Sequence, residues 1–111
     1  MNVKGSSELS GALSHKRVLK SGNYTVTVND YFIAANTSVG PITFTLPSAA
    51  ACADGQVWVF KDEYGDANTN NITIETAVGG QTIDGENSIV LESPYASIQL
   101  YSNGADKFYV F

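Results

Sequence analysis

The stretch GQVWVFKDEYG at residues 55–65 decides how the rest of the chain is read. Val57, Trp58, Val59 and Phe60 form an unbroken apolar run. In an extended strand, neighbouring side chains leave opposite faces. Val57 and Val59 then share one face, and Trp58 and Phe60 the other. A strand in a two-layer antiparallel protein usually keeps one face wet. A strand apolar on both faces is therefore expected at the centre of a sheet, with its second face covered by a loop or by another subunit. Lys61, Asp62 and Glu63 end the run, Gly65 closes a turn, and a polar loop at residues 66–71 follows.

Outward from this strand the pattern has period two. Tyr24, Val26 and Val28 alternate with Thr25 and Thr27, and Asn29-Asp30 makes a turn. A second strand covers residues 31–35. Ile42, Phe44 and Leu46 alternate with Thr43 and Thr45, the cleanest half-buried strand in the chain. Pro47 ends it, and residues 48–54 form a connector or a short helical turn capped by Ser48. Beyond the central strand, Ile72 and Ile74 alternate with Thr73 and Glu75. Gly79-Gly80 and Asp84-Gly85 are turn signals, with a very short strand between them. Strands are expected around Ile89 and Leu91, around Ala96, Ile98 and Leu100, and over residues 107–111, the last two joined at Asn103-Gly104. About eight short strands at regular spacing predict an all-β sandwich or barrel. No segment holds a helical period over ten residues.

The chain has 111 residues, enough for one domain with a small core. Charged residues make up 15%, which argues against disorder. The net charge of −5 argues against nucleic acid as a partner of the body. Residues 1–22 carry Lys4, Lys16, Arg17 and Lys20 against Glu8 alone, so +3; the remaining 89 carry two basic residues against ten acids, so −8. A Ser- and Gly-rich basic arm, residues 1–22, is thus expected ahead of an acidic body, residues 23–111. The arm either keeps the chain soluble or docks on an acidic surface, held by the body or by a neighbour. Leu9 and Leu13 could share a helical turn, which Gly11 weakens. No apolar run is long enough for a membrane span, and the N-terminus lacks the apolar core of a signal peptide. Cys52 stands alone in a small-residue stretch, so no internal disulfide is possible, and a buried thiol is expected.

Chemistry-bearing constellations are scarce. Asp66-Ala67-Asn68-Thr69-Asn70 opens like a calcium loop. The match then fails, with Asn71 where the turn Gly belongs and Ala77 where the bidentate Glu belongs. A hairpin loop whose Asn and Asp side chains bond their own backbone is the plainer reading. Asp62 and Glu63 point to opposite faces and make no catalytic pair. His15 lies in the arm beside Lys16 and Arg17, with no Cys or further His to join it on a metal. No phosphate-cradling loop is present. Tyr64, Tyr95 and Tyr101 flank turns and are the aromatics best placed for ligand contact. No enzyme and no cofactor is expected.

The order of segments resembles the small all-β knobs of structural proteins in tailed bacteriophages: tail fibres, tail needles, and head fibres or decorations. The resemblance runs over residues 22–111. It is carried by Tyr24-Thr25-Val26-Thr27, Asp30-Tyr31-Phe32-Ile33, Ile42-Thr43-Phe44-Thr45-Leu46-Pro47 and the 55–65 stretch. It continues through Asn71-Ile72-Thr73-Ile74, Gln81-Thr82-Ile83-Asp84-Gly85, Tyr95-Ala96-Ser97 and Phe108-Tyr109-Val110. It implies a jelly-roll-like β-sandwich, a homotrimer and a place in the virion, and it supplies no catalytic residue.

The expected function is a non-enzymatic virion protein that decorates or stabilises the particle, with capsid or tail proteins as partners. Trp58, Phe60, Tyr109 and Phe111 are the expected subunit-interface residues. Lys4, Leu9, Leu13, Lys16, Arg17 and Lys20 are the expected anchor in the arm. The alternative is a receptor-binding tip that recognises a host-surface glycan or protein through loops at residues 62–71 and 79–87. Tyr64, Asp66, Asn68 and Asn70 are then the contact candidates.

Overall fold

A computed structural model describes residues 11–111, and within them the chain lays ten strands into two facing sheets. The strands are β1 (Arg17–Lys20), β2 (Tyr24–Thr25), β3 (Phe32–Ala35), β4 (Ile42–Leu46) and β5 (Val57–Asp62), with a 3₁₀ turn at Ala49–Ala51 between the last two. They continue with β6 (Ile72–Thr76), β7 (Thr82–Ile83), β8 (Ser88–Leu91), β9 (Ser97–Ser102) and β10 (Lys107–Val110). One sheet has six strands in the order β1-β3-β5-β9-β10-β7, and the other has four in the order β2-β4-β6-β8.

From β1 to β8 the chain alternates between the sheets, and the early strands stack in parallel. β3 lies parallel to β1, β5 to β3, β4 to β2 and β6 to β4. The first half is therefore a flattened coil that sets one strand on each sheet per turn. The second half folds back. β8 returns antiparallel on β6, β9 on β5 and β10 on β9, and β7 closes the edge parallel to β10. The all-β sandwich agrees with the sequence reading. Its connectivity is not that of a jelly roll, which is built of antiparallel Greek keys, because five of the eight pairings are parallel.

Period-two patterning fills the space between the sheets. β4 buries Ile42, Phe44 and Leu46 and leaves Thr43 and Thr45 half-exposed. The parallel register sets Ile42 beside Ile72 and Phe44 beside Ile74, so the inward rows of β4 and β6 stack. From the six-stranded sheet, Ile33, Trp58, Phe60, Leu100 and Phe108 face this layer and are fully buried. The Phe44 and Phe60 rings meet across the sandwich with centroids 5.6 Å apart. Each such aromatic contributes roughly 1.5–3 kcal/mol on leaving water. The Trp58 indole N–H donates to the Thr27 carbonyl at 3.1 Å, so its one polar atom is satisfied.

Part of the expected arm, residues 1–22, is built into the sandwich. Arg17–Lys20 is an edge strand paired with Phe32–Ala35, and Val18 packs against the core. Composition marked these residues as arm because a four-residue edge strand with basic residues at both ends shows little alternation. Basic residues are also what protects an open sheet edge from pairing with another chain.

Candidate functional site

Two features of the described surface stand out: the outer face of the six-stranded sheet, and the corner where the 62–67 loop meets the turn before β9.

The outer face is built by register. Arg17, Phe32, Val59 and Gln99 align across β1, β3, β5 and β9, and Val57, Tyr101 and Tyr109 align across β5, β9 and β10. Phe111 donates its backbone N–H to Gln99 and adds its ring beside Tyr101, centroids 5.5 Å apart. Tyr101 and Tyr109 lie 5.4 Å apart. Phe32, Tyr101 and Phe111 are exposed, while Val57, Val59 and Tyr109 are half-buried. Next to this strip lies a depression of about 400 Å³ with Phe32, Ala34 and Val59 among its lining. Arg17, Glu63 and Lys61 also line it. Arg17 binds Glu63 through both ends of its guanidinium, with Nε donating to Oε2 at 2.9 Å and Nη2 to Oε1. That fork lifts the Arg17 pKa and holds the Glu63 carboxyl below its ordinary value.

This arrangement corrects the assignment of faces on the central strand. Trp58 and Phe60 have no exposed surface, enclosed by the chain's own sandwich, and are core residues rather than interface residues. The outer face belongs to Val57 and Val59. The larger pair turns inward because only the space between two sheets, about 10 Å deep, accepts rings of that size. Of the interface candidates, Tyr109 and Phe111 do lie at the outer face. Phe32 and Tyr101 complete it; alternation of Ser97, Gln99 and Tyr101 with Ile98 and Leu100 was the signal that could have found Tyr101, while the all-apolar run at residues 31–35 held none for Phe32.

The anchoring candidates are corrected in part. Lys4 and Leu9 lie outside the described residues. Leu13 is exposed. Lys16 faces the buried carboxylate of Asp30 at 3.5 Å, Arg17 is committed to Glu63, and Lys20 sits 4.2 Å over the Tyr24 ring. The last three tie β1 to the body, so their charges are engaged within the chain instead of standing free for an acidic partner. His15 stacks on Tyr31 with centroids 4.0 Å apart.

The second feature centres on Asp62, the last residue of β5, which is fully buried. Its Oδ1 accepts the backbone N–H groups of Tyr64 at 3.2 Å and Gly65 at 3.0 Å. Its Oδ2 accepts those of Ala67 at 3.1 Å and Tyr95 at 2.9 Å. Burial alone would raise the pKa of this carboxyl, but the four N–H donors outweigh it and hold it below the usual value. Asp62 thus organises two loops and makes no pair with Glu63, in line with their opposite faces.

The calcium-like loop is braced by its backbone. The Asp66 carbonyl accepts the N–H groups of Thr69 and Asn70, and the Asn70 amide donates to the Thr37 carbonyl at 2.7 Å. Asp66 and Asn70 are half-buried, while Asn68 and Tyr64 are exposed. Among the described residues no three His, Cys, Asp or Glu side chains converge. Cys52 is buried, its Sγ against the Ser48 carbonyl at 3.4 Å, and burial pushes its thiol pKa up. Comparison of the chain with models of known protein families finds no match, and comparison with curated proteins finds none.

Proposed function

We propose that the chain is a non-enzymatic assembly module of a tailed-bacteriophage virion, a decoration or fibre-type protein that forms a homotrimer on the capsid or tail. Two things support this reading: the motif order set out above, and the outer face of the six-stranded sheet. The single observation that carries it is the strip formed by Phe32, Val59, Val57, Tyr101, Tyr109 and Phe111, three of whose members are exposed rings. Exposed apolar rings gathered on one face, here around Gln99 and bordered by charge, are the usual mark of a protein contact surface. Aromatic centres with a polar surround are where interface energy concentrates. Arg17, Glu63 and Lys61 supply such a surround on one side.

The test is solution mass by light scattering and sedimentation on the full chain. Wild-type protein should run as a trimer. Replacement of Tyr101 and Phe111 by Ser should give monomers whose far-ultraviolet spectrum is unchanged, because neither ring is part of the core. A monomeric wild type at the highest soluble concentration would sink the trimer. Absence of this chain's density from purified virions would sink the location.

A second reading, the receptor-binding tip, is favoured by one specific observation: the exposed rings of Tyr64 and Tyr95 stand on loops fixed by a buried carboxylate. Rigid loops on a β-scaffold are where recognition residues concentrate.

A further inference from the structure

Ser93, Pro94, Tyr95 and Ala96 form a tight turn closed by the Ala96 N–H donating to the Ser93 carbonyl at 3.1 Å. Tyr95 occupies its third position with φ of +61°. A turn with Pro second and a positive φ third is of type II character, and the third position there is normally Gly or Asn. A bulky aromatic at positive φ is an outlier that persists only where its surroundings over-determine it.

Three surroundings do so. The buried Asp62 accepts the Tyr95 N–H. The Lys61 ammonium donates to the Tyr95 carbonyl. Gly65 opposite lacks the side chain that would collide with the ring: a Cβ there would lie 2.7 Å from Tyr95 Cε2 and Cζ. The result is a ring with its hydroxyl end seated on Gly65 and 58% of the residue exposed. The fold would be served as well by Gly at this position. Apart from its seat on Gly65 and the Lys61 ammonium 5.9 Å from its centroid, the ring is displayed outward.

We infer that Tyr95, seated on Gly65, is the stacking platform of a saccharide-binding site. A pyranose ring offers an apolar C–H face to an aromatic disc and hydroxyls to the groups around it, and needs no deep cavity. Exposed Glu92 and Ser93 precede the ring in sequence, and the Lys61 ammonium lies 5.9 Å from its centroid. A proline-rich peptide requires a groove lined by several rings, and here one ring leads. Nucleic acid bases also stack on Tyr, but the acidic body repels their phosphates. This inference rests on the receptor-binding reading and is independent of the trimer.

The test titrates soluble oligosaccharides of glucose, galactose and N-acetylglucosamine, in the millimolar range, into the isotope-labelled full chain, followed by amide chemical shifts. At least one should shift Tyr64, Gly65 and Ala96. Tyr95→Gly should abolish those shifts, weakening binding at least about tenfold, with a melting temperature at or above wild type. Tyr95→Asn, which also tolerates positive φ, guards against misfolding and should behave alike. Binding mapped to residues 79–87 instead would overturn the site and leave the receptor-binding reading standing. No saccharide binding anywhere would overturn the saccharide site, while the receptor-binding reading would then stand only for a protein receptor. Binding of a proline-rich peptide alone at Tyr95, or a marked loss of stability in both variants, would also overturn it.

Discussion

The buried carboxylate of Asp62 accepts the backbone N–H of Tyr95 at 2.9 Å across 33 residues of sequence, and so joins the loop after β5 to the turn before β9. The same oxygen accepts the Ala67 N–H. One side chain therefore sets the geometry of two loops that the strand ladders leave unpaired.

Asp62→Ala should accordingly cost about 3 kcal/mol, because four N–H donors lose a charged acceptor and the buried ones find no water. Urea unfolding measures this. Asp62→Asn, which keeps one oxygen, should lose less. Proteolysis within residues 63–67 should accelerate in both.

Stability should fall in acid with a defined sign. The carboxyls of Asp62 and Asp30 are both held below the ordinary Asp value of 3.8. For Asp30, burial pulls the other way, and the Tyr24 hydroxyl, the Thr27 N–H and the Lys16 ammonium outweigh it. A folded-state pKa below the unfolded one means that the folded state binds fewer protons. The stabilisation is then complete above the unfolded value and is lost as pH falls through the folded one. The urea midpoint should be level from about pH 7 to 5 and drop below about 4. Asp30→Asn with Asp62→Asn should flatten that drop from a lower starting stability.

Trp58→Ala should destabilise the isolated chain by about 3–5 kcal/mol, as for other buried large aromatics. The Tyr101 and Phe111 replacements should leave chain stability within about 0.5 kcal/mol, as surface changes do, once measured on dissociated protein. Chemical denaturation at low protein concentration separates the two classes. Equal losses from both would mean that the outer rings carry part of the fold.

Gly65→Ala should cost about 1–2 kcal/mol from its φ of +79° alone, with a further loss from collision with the Tyr95 ring. In Tyr95→Gly the collision part should vanish, so the two substitutions couple in a double-mutant cycle. Gly104→Ala should show no such rescue. Its Cβ would meet the Asp54 backbone nitrogen at 2.9 Å, and a backbone atom cannot swing away.

Strand positions were largely legible because alternation is local. Ile42–Leu46 forms as read, and most other expected strands agree to within a few residues, but of the strand expected from Tyr24 to Val28 only Tyr24–Thr25 forms and Val28 is exposed. The last hairpin turns where Asn103-Gly104 was read, but through residues 103–106, with the Asn103 side chain accepting the N–H groups of Ala105, Asp106 and Lys107. β1 was not legible, since four residues with basic ends look like an arm until a partner strand is present. The candidate site was less legible still. Tyr64 and Tyr95 could be flagged as turn-flanking rings, but their shared support on Asp62 joins residues far apart in the chain.

Amino-acid order by itself determined the all-β class, most of the strand positions and the acidic body, because side-chain period and turn residues act over a few neighbours. It also showed that the 57–60 strand is apolar on both faces. Which face is core was decided only in three dimensions, where the gap between the sheets admits Trp58 and Phe60 and leaves Val57 and Val59 outside. The parallel coil was likewise tertiary: pairing Arg17 with Phe32 and Phe32 with Val59 depends on where the chain returns, and nothing in a single strand records its neighbour's direction.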